Sequence, residues 1–256
     1  MELHNYNLED KIITNDKYKF TRNPPAKYEL RDKVLCYFDG YDRKIIPLSV
    51  ALAFPIIYDS FFDNDKLSDL TIAICPFTLA VAAFSGKFQA TKKVENSCLI
   101  ITNGEKAFSI INSFDQGVRK FQVDIKILRN VFSEYPDCRY MNLLDTITIK
   151  PIVDLDYYTN GRMLFKHIYQ NQLHPKTLVY LILYKSSKDQ KTKSTIIVGR
   201  DANPNKDSGY DMVKSGIQDY LLTYNEKIIQ KFGSVIPVLW FAWKSFFPNS
   251  KIIFIP

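Results

Sequence analysis

The chain has 256 residues, of which 46% are hydrophobic and 14% aromatic, with 34 basic against 27 acidic side chains. That length can bury a large core, and that composition excludes a disordered polypeptide. A net charge of +7 allows weak attraction to anions, but no specific nucleic-acid partner is expected. The densest basic segment, Lys185 to Lys193, has no interleaved aromatic residue to stack bases and reads as a solvated hairpin loop. Lys, Ile, Asn, Tyr and Phe are abundant and Gly is scarce at 9, a bias of AT-rich genomes such as those of many protists and large DNA viruses.

The opening residues, Met1 to Asp10, are polar and acidic, unlike a secretory signal. The longest uncharged run, Leu70 to Gly86, is too short to span a membrane and is interrupted by Pro76. A soluble, cytoplasmic protein without a membrane partner is therefore expected. Cys36, Cys75, Cys98 and Cys138 form no CxxC pair and no zinc spacing, so free thiols are expected.

In chain order, residues 1 to 26 read as a polar arm ending in Asn23-Pro-Pro25. Lys33 to Phe38 is a strand, Asp39-Gly40 a hairpin turn, and Arg43 to Ile46 the returning strand. Pro47 opens a short helix over Leu48 to Phe54, which Pro55 ends. A charged loop, Asp63 to Lys66, leads into the apolar run. There Pro76 argues against one continuous helix, since a helix-interior proline costs about 3 kcal/mol. Two buried strands fit instead, Thr71 to Ile74 and Ala80 to Phe84, joined through Cys75-Pro76-Phe77-Thr78. Lys87 to Thr91 and Cys98 to Thr102 are further strands, the second closed by Asn103-Gly104.

The spacing of Ile125, Leu128 and Phe132 predicts an amphipathic helix over 125–135, stopped by Pro136 and followed by a strand, Arg139 to Leu143. Asp145 to Gln172 is Tyr-rich and irregular, a bridge between halves. Thr177 to Tyr184 and Ser194 to Val198 form a hairpin around the lysine loop. A polar loop, Asp201 to Ser208, precedes a helix over 210–232 with Gly233 as its C-cap. Val238 to Phe247 is predicted helical, Pro248-Asn249 stops it, and Lys251 to Ile255 is a final strand. Ser133-Glu-Tyr-Pro-Asp137 is echoed by Ser245-Phe-Phe-Pro-Asn249, each before a strand. The expected fold is mixed, β-rich α+β: one domain over 27–256 with two related halves, 27–143 and 177–256, bridged by 144–176.

Several motifs, in order, resemble those of a family catalogued as domain of unknown function 3179. Gly40-Tyr-Asp-Arg-Lys-Ile-Ile-Pro-Leu48 resembles, with one residue more, its Gly-x-x-(Arg/Lys)-x-x-Pro-Leu run, and Ile56-Ile-Tyr-Asp59 is similar to its Ile-Val-Asn-Asp. Cys75-Pro-Phe-Thr78 through Phe84 resembles its Cys-Pro-Leu-(Cys/Thr) signature, and Asn96-Ser-Cys-Leu99 its Asn-Ser-Asp-Leu. His174-Pro-Lys176 and Trp240-Phe-Ala-Trp243 with Pro248 complete the series, which covers about 27 to 256. The family has no settled activity. Selenocysteine near the Cys-Pro motif in some members implies thiol redox chemistry. This chain departs from the family at Phe54-Pro55, where a His-Glu pair is usual, at Thr78, which replaces a second cysteine, and at Cys98, which replaces an Asp.

Two readings of the central thiol follow. In one, Cys75 is a reactive thiol assisted by the Thr78 hydroxyl, with Cys98 as resolving thiol. In the other, Cys75 is core packing in an apolar run, and the chain is a non-catalytic binding or structural protein, such as a component of a large viral particle, that retains an ancestral fold. No metal site is expected from His4, His167 and His174, or from Asp154 and Asp156, which read as turn formers. No cofactor is expected either: Gly199 to Lys206 lacks the glycines of a phosphate loop, and no Gly-x-Ser-x-Gly elbow occurs. Trp240 and Trp243 are spaced as core residues.

Overall fold

Runs of β-branched and aromatic residues, punctuated by turn residues, make strands the dominant element of this chain. The structure is a computed structural model. It describes residues 8, 11–63, 66–114, 116–153, 155–158, 176–185, 192–199 and 233–255. It is mixed α+β, β-rich, with several sheets and few helices among those residues. Two units are distinguished, one of residues 1–77 and 81–154, the other of 78–80 and 155–256.

The first unit begins with β1 (Ile12–Ile13) and β2 (Tyr18–Thr21), so the stretch read as a polar arm contributes two short strands. β3 (Lys33–Phe38) and β4 (Arg43–Pro47) form the predicted hairpin, and α1 (Leu48–Ala53) follows at Pro47. β5 (Ile56–Asp63) and β6 (Lys66–Ile74) pair along their whole lengths, with Ile56 facing Ala73 and Asp63 facing Lys66. The expected loop at Asp63 to Lys66 is therefore the tip of a longer hairpin. Its charged outer half carries little hydrophobic signal and is held by backbone pairing.

β7 (Val81–Ser85) returns beside β6 after a six-residue connection, in which Leu79 has a left-handed φ of +57°. β8 (Gln89–Glu95) and β9 (Cys98–Thr102) are joined by Asn96 and Ser97, both left-handed at φ +45° and +68°. This is the two-residue turn whose twist suits a hairpin. β10 (Ala107–Ser109), β11 (Lys120–Phe121) and β12 (Val123–Ile127) lead into α2 (Leu128–Glu134), and β13 (Arg139–Leu143) ends the strands of this unit.

The predicted helix over 125–135 is thus corrected at its start. Ile125 lies in β12 and faces Leu35 of β3. Val123-Asp-Ile-Lys-Ile127 alternates at period two, and a partner strand nearly ninety residues earlier decides in favour of β. Three sheets result, with orders β1-β5-β6-β7-β11, β10-β9-β8 and β12-β3-β4-β13-β2. In the last, Val34, Cys36, Ile45, Cys138 and Tyr140 form a buried cluster with Leu128 and Val131 of α2.

Among its described residues the second unit holds one four-stranded sheet of order β16-β14-β15-β17, from β14 (Leu178–Lys185), β15 (Thr192–Gly199), β16 (Gly233–Leu239) and β17 (Lys251–Ile255). Between β16 and β17 runs α3 (Trp240–Phe246). Gly233 opens β16 opposite Tyr184 as a strand residue, and the helix it was expected to cap lies outside the described residues. Val238 and Leu239 also belong to β16, where Leu178 to Tyr184 of β14 supplies the partner, so the helix expected over Val238 to Phe247 begins only at Trp240. Trp240 and Trp243 are fully buried, as core spacing predicts. The polar loop Asp201 to Ser208, the helix over 210–232, His4, His167, His174, Asp154 and most of the lysine loop lie outside the described residues.

Candidate functional site

Pro76 cannot donate to a ladder, so β6 stops at Ile74 and leaves Cys75 at the strand end. Cys75 is 0% exposed, as is Cys98 at the start of β9. The Cys75 thiol donates to the carbonyl of Ser97 at 3.4 Å, and its sulfur accepts the Leu99 N–H at 3.3 Å. These two backbone groups flank Cys98, so the sulfur is seated under the tip of the β8–β9 hairpin. An S–H that donates to a carbonyl is a neutral thiol, whereas the nucleophile is the thiolate. The Thr78 hydroxyl accepts the Ala80 N–H at 3.3 Å, and its carbonyl accepts the Leu239 N–H at 2.8 Å.

Sequence reasoning missed a buried polar cluster of the first unit. Tyr37 of β3, Asp39 just beyond it, Lys44 of β4 and Asp59 of β5 are all largely buried. The Lys44 ammonium lies 2.8 Å from Asp39 Oδ2 and 2.7 Å from Asp59 Oδ2, and it sits over the Phe20 ring. Tyr37 donates its hydroxyl to Asp59 Oδ2 at 2.6 Å. Burial is the main cause, and the Asp59 charge the second, of a Tyr37 pKa well above the ordinary tyrosine value. Asp39 Oδ1 accepts the N–H groups of Tyr41 and Asp42 at 2.8 and 2.7 Å, which shapes the β3–β4 turn. A signal was present: Asp59 follows Ile56-Ile-Tyr, and a carboxylate inside an apolar strand needs a cation or donors. The cluster ties the β3–β4 hairpin to β5 and commits its charges to one another.

A second buried amine, Lys176, stands at the entrance to β14, 1% exposed, donating to the Tyr157 carbonyl at 2.8 Å and lying over the Tyr157 ring. Burial pushes its pKa down to about 7. Between that value and the ordinary lysine range near 10.4, the unfolded chain binds a proton that the folded chain does not. Stability is therefore expected to rise with pH across this window, the full desolvation penalty applying below about pH 7. The buried tyrosines are shifted upward and titrate above the window. Denaturant midpoints at pH 6 and pH 8 should show the rise in the native chain, below the range in which the raised Cys138 thiol acts in the opposite sense. In Lys176→Met the rise should shrink, and an identical slope in both proteins would contradict the assignment.

Among the described residues, no group of His, Cys, Asp and Glu is placed to hold a metal, and no helix is long and apolar enough to cross a membrane. No family model, no curated protein and no solved structure matches the chain.

Proposed function

We propose that this chain is a non-catalytic binding or structural protein, a divergent relative of the domain of unknown function 3179 proteins that keeps their fold and uses the Cys-Pro motif for packing. The observation that carries this reading is the Cys75 sulfur, fully buried and held by the backbone of Ser97 and Leu99. A thiol in that position ties the end of β6 to a hairpin tip, a structural task.

A duplicated architecture belongs to the same proposal. The β-α-β segment β12-α2-β13 encloses the β3–β4 hairpin, as β16-α3-β17 encloses β14–β15. Strand senses agree, and so do the registers. Leu35 faces Ile125 as Tyr180 faces Pro237, Cys36 faces Ile45 as Leu181 faces Ile196, and Tyr140 faces Ile45 as Ile252 faces Ile196. The helix ends agree too: Tyr135 N–H returns to the Val131 carbonyl and Phe247 N–H to the Trp243 carbonyl. Leu128 and Val131 on α2 correspond to Trp240 and Trp243 on α3. Such agreement in three pairings and one cap supports an ancestral repeat beyond the short Ser-x-x-Pro echo.

Alkylation of the native protein at neutral pH tests the functional reading. Cys36, Cys75, Cys98 and Cys138 are 0–1% exposed, and burial is the main cause of a raised Cys138 thiol pKa. None of the four should label until the protein unfolds. Cys75→Ser should cost about 1–3 kcal/mol by burying a hydroxyl in the thiol's place. One observation favours thiol redox as the second reading: the Cys75 sulfur bonds the groups on either side of Cys98, where a resolving thiol would stand. Rapid, selective labelling of native Cys75 would make that the better account.

A further inference from the structure

In the first unit, the four residues of β2 join their sheet along β13, with Tyr18 opposite Leu143 and Thr21 opposite Tyr140. The strand stands between two exposed stretches, Asn15 to Lys17 and Arg22 to Pro24. Tyr18 and Phe20, two residues apart, share one face of it. Both lie against the buried charge cluster of Asp39, Lys44 and Asp59. The Tyr18 hydroxyl donates to the Tyr58 carbonyl at 2.5 Å, and burial, then the neighbouring Asp59 charge, raises the Tyr18 pKa. The Lys44 ammonium lies 4.7 Å from the centre of the Phe20 ring, and the Lys44 side chain is 12% exposed with β2 in place. On the other face of this sheet the layer is apolar: Val34, Cys36 and Ile45 pack with Leu128 and Val131 of α2.

The two faces differ in what it costs to open them. Lifting an element off an apolar layer exposes that layer to water and loses its hydrophobic stabilisation in proportion to area. Lifting an element off ions restores hydration whose loss is the main penalty of burying them. The return of water to Lys44 and Asp59 thus offsets part of the loss of the β2 ladder, and nothing comparable offsets the lifting of α2. Local openings concentrate where such offsets meet short ladders. We infer that β2 is a lid over the Asp39–Lys44–Asp59 cluster, which opens as a unit between Asn15–Lys17 and Arg22–Pro24 while β3, β4 and β5 stay folded. β1, anchored by Ile13 at 1% exposed, remains on β5. In the open state the Lys44 ammonium and the Asp59 carboxylate meet water and dissolved solutes, so the fold holds a charged site that β2 closes.

Hydrogen exchange on the full chain, in urea below the unfolding transition, reads the opening directly. The denaturant slope scales with the surface exposed, so the β2 amides should show less than about a third of the slope of the β3 and β4 amides. Acylation of the Lys44 amine, followed by peptide mass, reads whether the cluster is uncovered at the same time. It should rise with urea on the same shallow slope as β2 exchange. Tyr18→Phe removes the bond to the Tyr58 carbonyl and should raise β2 exchange and Lys44 acylation together, by about tenfold. Should that variant not fold, the two slopes in the native chain decide alone. A β2 slope as steep as that of β3 and β4 would overturn the inference. So would Lys44 acylation that does not follow β2 exchange, or unchanged rates in folded Tyr18→Phe.

Discussion

Lys44→Met is expected to destabilise the protein by about 3–5 kcal/mol, the range for removing one partner of a buried ion pair. The methionine keeps the apolar stem of the side chain over Phe20 but deletes the only charge of its sign between Asp39 and Asp59 within the cluster. Two carboxylates, with side chains 4% and 9% exposed, are then left facing one another. Water cannot solvate them fully without loosening the β3–β4 turn from β5. The double variant Lys44→Met, Asp59→Asn should recover part of the loss, because one uncompensated charge is gone while Tyr37 still finds an acceptor. Denaturant unfolding of the native chain, both single variants and the double variant would measure the coupling. Additive losses would show that Lys44 and Asp59 do not act as a pair.

Gly40→Ala is expected to cost about 2–4 kcal/mol, from two sources that a control can separate. Gly40 has φ +95°, a conformation in which an L side chain is strained, and a Cβ there would lie 2.5 Å from the Phe62 carbonyl oxygen. That oxygen belongs to β5, and the Phe62 N–H itself donates to the Asp39 carbonyl at 2.8 Å. The turn and the strand are thus pinned together where the methyl would intrude, so neither yields cheaply. Gly104 has nearly the same φ, +92°, with nothing within 4 Å of a built Cβ. Gly104→Ala should therefore show only the backbone strain, about 1 kcal/mol. Equal losses at both positions would mean that the close approach to Phe62 contributes nothing.

These two variants share one feature of the fold: the Asp39-Gly40 turn is a junction between sheets as well as a hairpin end. Sequence alone identifies the turn, because Asp-Gly between β-rich runs is a strong local signal. It does not identify the junction. The partners Asp59 and Phe62 come from a strand whose outer half, Ser60 to Asp63, has no clear pattern to announce it.

What the sequence by itself determined about this protein is what acts over a few residues. β3, β9 and β13 fall where β-branched and aromatic runs end at turn residues, β4 runs one residue past its expected end, and α2 and α3 stop just before Pro136 and Pro248. The mixed, β-rich class follows from the same local signals. Tertiary structure alone decided the rest. Val123 to Ile127 and Gly233 to Leu239 become strands because β3 and β14 offer edges, although both segments lead into helices and share their apolar spacing. Cys75, in an apolar run that suits either packing or reactivity, is assigned a place only by the hairpin tip that covers it. Lys44 and Lys176 look in sequence like any other lysines, yet each is buried against groups of other elements, 15 residues away at Asp59 and 19 at Tyr157. Propensity and turn chemistry are written in neighbouring residues, whereas burial, charge pairing and strand choice depend on which distant segments the completed sheets bring together.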